Sequence, residues 1–419
     1  MNPMSGPALR KIAIALLVLS AGFFLVRVIP YANRPTAGFM AGYFAARMLL
    51  THQPMSKLYD ANFFEEFSRA GSGLPHGEIY TVNTPVLPFL FLPLALLPMD
   101  EAKLLWEVIS LVCLLAALAL LYRHLGLTPL ERIVMSALAF AFTPVYLNFV
   151  WGQLYVFLLL LHAGLLFFWS RGLIVGASAS IALMLALKGY GVFFLVVALL
   201  RKEWLLLGCT IVIFMLVAGL SSLAVGYETW IAYASQVGHF LSAIPASATY
   251  QQTVGSFFSW FLVRDEWHSH PWLELPGLVR PLMACFLAAG ILLLVRAVRA
   301  CGRGGLDLPF ATGTILSVVT APLLFDYHYV LLLIPLLICY KSLSGSLQAG
   351  GAAAFGAALL LLVPKIPYYD PMFQNSWLGM AGFPRLYGAL VLLWIMFLTG
   401  RRDPATAVEA PLRMEPAAL

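Results

Sequence analysis

Apolar runs of helical length recur along the chain, at 12–30, 103–122, 131–150, 153–170, 173–187, 189–200, 204–225, 278–298, 309–325, 328–343, 349–364 and 384–400. A bilayer's hydrocarbon core takes roughly 20 apolar helical residues to cross, and no water is present there to satisfy an irregular backbone. The pattern therefore predicts an all-α polytopic membrane protein, a bundle of about twelve transmembrane helices. Several runs are short, and 189–200 spans only with help from neighbours or a thinned bilayer. The stretch 84–98 carries Pro85, Pro88, Pro93 and Pro98. Each proline removes a backbone donor, which predicts a broken re-entrant or interfacial segment that does not cross.

Polar residues collect in three loops, 31–83, 226–277 and 365–383. Within the first, 39–50 is apolar enough for an amphipathic helix lying on the membrane surface. Residues 1–402 read as one transmembrane domain, and 403–419 as a disordered tail.

Composition agrees. The chain is 61% hydrophobic and 11% charged, far below the roughly 25% charged residues of a soluble domain. A water-soluble globule is excluded. The net charge of +6 would suggest nucleic acid in a soluble protein, but here the basic residues sit at the ends of apolar runs. They are Arg10-Lys11, Arg123, Arg171, Arg201-Lys202, Arg296, Arg299, Arg303, Lys341 and Arg401-Arg402. Placing all of them on the cytoplasmic side gives one topology, with both termini inside a bacterial cell membrane and the three polar loops outside. The partners expected are then membrane lipids and not nucleic acid. The first run follows Arg10-Lys11 as a signal peptide would, but no A-x-A site follows it and Arg27 lies inside it. It reads as a retained anchor. The five cysteines lie in or beside apolar runs, so neither a disulfide nor a metal site is expected. Nucleotide-binding glycine loops, H-E-x-x-H and G-x-S-x-G are absent from the sequence, which leaves nucleotide hydrolysis, zinc chemistry and esterase chemistry without support, and no cofactor is expected.

Ionisable and amide side chains at membrane depth are costly and mark function by default. Asp326-Tyr327-His328-Tyr329 interrupts two apolar runs after Pro322, and its carboxylate and imidazole suit an acid–base or substrate-orienting pair; a wetted polar turn is the alternative. Lys188, before Gly189-Tyr190-Gly191, suits a phosphate or simply snorkels to the interface. Asn148 and Gln153, flanking Trp151-Gly152, suit a hydroxylated substrate or a capped turn. Tyr250-Gln251-Gln252-Thr253 opens a segment whose tryptophans serve equally as interfacial anchors. His162 reads as a satisfied buried histidine.

In their order these features resemble the GT-C membrane glycosyltransferases, and within them family 87, the polyprenyl-phosphate-mannose-dependent mannosyltransferases. Four stretches within 12–345 carry the likeness: Gly38-Phe39-x-x-Gly42-Tyr43-x-Ala45-Ala46-Arg47 with Leu58-Tyr59-Asp60; Tyr80-x-x-Asn83-x-Pro85; Gly152-Gln153 with Leu187-Lys188-Gly189-Tyr190; and Thr320-Ala321-Pro322-x-x-Phe325-Asp326-Tyr327-His328-Tyr329. The resemblance implies a GT-C-like bundle and a polyprenyl-phosphate-linked sugar donor. It also implies a lipid or glycan acceptor at the outer face and inversion at the anomeric carbon. It further implies a catalytic Asp at the start of a D-F-x-x-Y motif, where this chain has Gly38. The base is then another carboxylate, with Asp326 ranked first for its depth and its His328 neighbour and Asp60 second, or the chain is an inactive subunit. Lys188, Gln153, Asn148, Asn83, Gln252 and Tyr329 are the substrate-binding candidates. A transporter or flippase of lipid-linked sugars is a third reading, though the two matching halves usual in transporters are not evident.

Overall fold

The structure, a computed structural model, describes residues 6–399 apart from 82, 303–304, 345–348, 368–369 and 374–376. Arg303, Arg401, Arg402 and the 403–419 tail lie outside the described residues. Every regular element among the described residues is helical.

Helix α1 (Pro7–Val28) starts on a proline, whose missing donor costs nothing in a first turn. The first loop then folds into α2 (Ala37–Leu50), α3 (Ala61–Ser72) and the five-residue α4 (Leu87–Phe91). α2 was expected on the membrane surface. Instead residues 39–46 and Met48 are all buried, because its residues are apolar around nearly the whole circumference, which is the signature of an inserted helix. The amphipathic helix of this loop is α3, which buries Phe64 and exposes Asn62, Glu65, Glu66 and Arg69. The proline-rich stretch 84–98 forms only α4 and one 3-10 turn, Leu94–Leu96, too little helix to cross.

α5 (Met99–His124) runs the full depth of the bundle and is followed by α6 (Pro129–Ala141), which begins at a Thr128/Glu131 capping box. Pro144 cannot continue that helix, so α7 (Thr143–Trp151) departs at 52°. Then come α8 (Tyr155–Trp169), α9 (Ile174–Lys188), the nine-residue α10 (Val192–Leu200), α11 (Trp204–Val225) and α12 (Tyr227–Ser242). After α13 (Val254–Leu262), α14 (Val279–Cys301) and α15 (Asp307–Val319), a 3-10 helix over Asp326–Leu332 leads into α16 (Leu333–Ser344), α17 (Ala349–Leu362) and α18 (Pro384–Thr399).

Among the described residues, five helical stretches are long and apolar enough to cross a bilayer, six with the bent α6–α7 pair. The other apolar runs form helices of 10–17 residues, or nine in α10. Twelve spans is therefore more than helix length alone supports; the shorter helices cross only with packed neighbours or a thinned bilayer. The stretch Asp326–Ser344 is buried over 72% of its length and forms the bundle's centre with α8 and α15. α1 and α11 are 17% buried and turn apolar side chains outward, as lipid-facing helices do.

The bundle has two chemically different ends. At one, His124 Nε2 meets Asp307 Oδ1 at 2.7 Å, Trp169 Nε1 donates to Glu203 at 2.6 Å, and Arg201 donates to the Gly305 carbonyl at 2.8 Å. These contacts tie together four helix turns rich in basic residues. The other end, one length of α8 or about 22 Å away, holds the sequence-predicted site residues.

Candidate active site

Lys188 is the last residue of α9, and Gly189 behind it sits in the left-handed region, φ 70°, where glycine ends helices without strain. The ammonium donates to Asn83 Oδ1 and lies 5.7 Å from the centre of the Tyr155 ring. Asn83 is buried and is fixed from the first loop, since Tyr59 Oη donates to its carbonyl at 2.6 Å. Burial raises the Tyr59 phenol's pKa, so it stays a donor. Thr84, next in sequence, donates to the Ala186 carbonyl and joins this loop to α9.

The Tyr155 ring stands edge-to-face on the buried His328 imidazole at 3.9 Å. His328 Nδ1 accepts from the Phe325 backbone N–H at 2.7 Å, which leaves the proton on Nε2. Tyr327 packs against both rings, tilted on Tyr155 and edge-on to His328, and its carbonyl accepts from Asn148 Nδ2 at 2.8 Å. Asn148 Oδ1 is buried without a hydrogen-bond partner. Gln153 follows through its backbone N–H, which donates to the Asn148 carbonyl at 2.7 Å. Asn83, Lys188, His328, Asn148 and Gln153 thus come together from segments 83–84, 148–155, 186–190 and 325–328.

Gln153 bears directly on Gly38. A Cβ built at Gly38 would collide with the Gln153 side-chain amide and approach the Trp151 carbonyl to 2.7 Å. The space that a side chain at position 38 would occupy is filled by this amide.

Three expectations change. Asp326 does not pair with His328. Its carboxylate takes both Arg385 Nε, at 3.2 Å, and Nη2, at 3.3 Å. The fully buried Arg385 also donates to the carbonyls of Leu362 and Pro364. Asp60 is exposed and caps α3, its Oδ1 accepting from the Phe63 N–H at 3.2 Å. Gln252 uses its whole side chain on structure, donating to the carbonyls of Thr249 and Gly382 and accepting from the Arg385 backbone N–H. Tyr329 Oη donates to the Gln252 carbonyl at 2.6 Å, which anchors the 3-10 helix to the second loop.

Sequence reasoning missed two charged groups. Arg385 follows a proline at the head of an apolar helix, where a basic residue passes for an interfacial anchor. Lys103 and Glu107 are spaced i,i+4 inside an apolar run, the spacing of a helical ion pair. They form a buried salt bridge, with Lys103 also donating to the Phe149 carbonyl at 3.3 Å and packing beneath Gly152. Glu107 Oε2 has no partner.

A family model of glycosyltransferase family 87 matches residues 80–325, more than half the chain, and takes in Asn83, Asn148, Gln153 and Lys188. The chain belongs to glycosyltransferase family 87. Two relatives from Mycobacterium tuberculosis agree. A polyprenol-phosphate-mannose-dependent alpha-(1-2)-phosphatidylinositol pentamannoside mannosyltransferase (strain CDC 1551 / Oshkosh) is 25% identical over 321 residues, 73% of this chain and 70% of the relative. A polyprenol-phosphate-mannose-dependent alpha-(1-2)-phosphatidylinositol mannoside mannosyltransferase (strain ATCC 25618 / H37Rv) is 26% identical over 423 residues, 91% of this chain and 94% of the relative. No solved structure matches. This family 87 chain is a multi-pass membrane protein, and the family sets its chemistry as glycosyl transfer.

Proposed function

We propose that the chain moves a sugar, mannose or another hexose, from a polyprenyl-phosphate donor to a lipid or glycan acceptor at the outer face of the membrane, with inversion. The single observation that carries this reading is Lys188: a cation at membrane depth that meets an amide oxygen and an aromatic face, with no carboxylate in ion-pair distance among the described residues. A half-buried cation without a carboxylate partner calls for an anion, and the departing lipid phosphate supplies one. His328 adds a neutral N–H donor from the opposite wall. Together they stabilise charge developing on the leaving phosphate, which then needs no general acid.

Inverting transfer needs one carboxylate to take the acceptor's proton. Asp326 is assigned that role, with Arg385 orienting its carboxylate; each oxygen keeps a lone pair beyond the one given to the guanidinium. Asn148 Oδ1 and the Gln153 amide are placed to bind sugar hydroxyls. The basic residues at the opposite end support an outward-facing site with both termini cytoplasmic.

One observation favours a second reading. With position 38 closed by Gln153, no residue there could supply a carboxylate, as an inactive subunit would show. Binding of a polyprenyl-phosphate sugar to wild type and Lys188→Met tests the phosphate assignment. Loss of this charge-assisted contact should weaken binding about tenfold or more. A change within about twofold, under roughly 0.5 kcal/mol, would mean that Lys188 merely snorkels.

A further inference from the structure

A groove of about 670 Å³ lies between α2, α3 and the segment Leu96–Pro98, separate from the Lys188 cluster. We infer that it holds the phosphate of an anionic glycerophospholipid, the acceptor or the lipid part of the acceptor, on Arg47.

Four observations point the same way. Arg47 is the one charged residue lining the groove among the described residues, and its hydrogen bond, Nη1 to the Ala95 carbonyl at 3.3 Å, uses a single donor of its five. The planar fork that remains matches a phosphodiester. Thr51 and Gln53 add polar side chains along the same wall. The rim is apolar: Leu96 is 71% exposed, and α5, which continues directly from Pro98, exposes Leu104, Val108 and Val112 at i,i+4 spacing. Acyl chains lying along that stripe would bring a headgroup to the level of Leu96–Pro98. The exposed acids Asp100 and Glu101 sit in the first turn of α5 but do not line the groove.

The word acceptor rests on the transferase reading; the binding itself does not.

The test is therefore run without donor. Full-length protein in detergent is titrated with phosphatidylinositol, with phosphatidylcholine and with inorganic phosphate, and bound molecules are counted by native mass spectrometry. Wild type should bind one phosphatidylinositol, and Arg47→Gln about tenfold more weakly. Arg69→Gln, which removes an exposed charge from α3 outside the groove, should bind as wild type does. Ala70→Trp, which fills the groove from the α3 wall and leaves the Arg47 side chain in the sequence, should also lose the lipid, so the result does not hang on the folding of one variant. Equal binding by Arg47→Gln and Ala70→Trp would overturn the inference. Displacement of the lipid by equimolar inorganic phosphate would overturn it too, since the site would then take free phosphate. Equal retention of the zwitterionic lipid would remove the anionic preference. A chain that binds phosphatidylinositol as expected but transfers no sugar would refute the transferase reading alone.

Discussion

At the scale of single residues, Asp326 shows how a partner distant in sequence changes a side chain's meaning. Read beside His328 it is half of an acid–base pair; in the fold it is held by Arg385, 59 positions away. Removing the carboxylate leaves a fully buried guanidinium short of its counter-charge, at a cost of about 3–5 kcal/mol. Asp326→Asn should therefore lower the unfolding temperature as well as abolish turnover, and alone it cannot separate the two roles. Asp326→Asn/Arg385→Gln removes both charges. It should recover much of the thermal stability while transferring no sugar, as seen by differential scanning fluorimetry alongside a transfer assay. Recovery of activity with the double replacement would assign the pair to structure and the base to another group. The Asp326 position was legible from its interruption of two apolar runs; its partner was not, because nothing in the local sequence brings residues 326 and 385 together.

Among the elements, the first loop departs furthest from its reading. The density of apolar residues over 39–50 fixed a helix, but density does not say whether one face or all faces are covered, and burial of α2 depends on α3, α4, the Leu94–Leu96 turn and α7 closing around it. Its neighbour α3 is zipped to the chain that follows: the Glu78 N–H donates to Ser68 Oγ at 2.7 Å, and the Ser68 hydroxyl lies within reach of the Glu65 and Glu78 carbonyls. Gly77 is required there, since a Cβ would strike the Glu65 carbonyl. Burial pushes the Glu78 carboxyl up to about 7, its own neighbour's N–H at Ile79 lowering it less than burial raises it. Below the ordinary value of 4.5 both folded and unfolded carboxyls hold a proton. Between there and about 7 the unfolded chain loses its proton first, so the folded state binds more protons and stability falls as pH rises. Limited proteolysis of the 73–83 stretch should become faster across this window in wild type and lose that trend in Glu78→Gln. An unchanged trend in the variant would place the titrating group elsewhere.

For the molecule as a whole, the sequence pattern carried fold class and a difference between basic helix turns and polar breaks along the chain. Helix-period apolar runs are local, and so is the placement of basic residues at their ends. The assembly of the site was legible only in part. Asn148, Gln153, Lys188 and His328 are each marked by a polar group at a helix end or a break, Asn83 only by the family resemblance, and the fold brings them together. Asp60 carried the same mark but caps a helix, and Gln252 spends its amide on three backbone groups. A polar residue at a break is needed for either role, so only the partners tell them apart. The spacing of the two ends, with basic turns at one and the Lys188 cluster at the other, is the arrangement on which the proposed outward-facing site rests.

The most direct measurement is transfer itself. Proteoliposomes containing the full chain, radiolabelled polyprenyl-phosphate mannose and phosphatidylinositol-type lipids should yield labelled glycolipid with wild type and almost none with Lys188→Met, while both proteins remain folded. Donor that binds but is never consumed, across mannose and other hexose donors, would contradict the account and leave the inactive-subunit reading in its place.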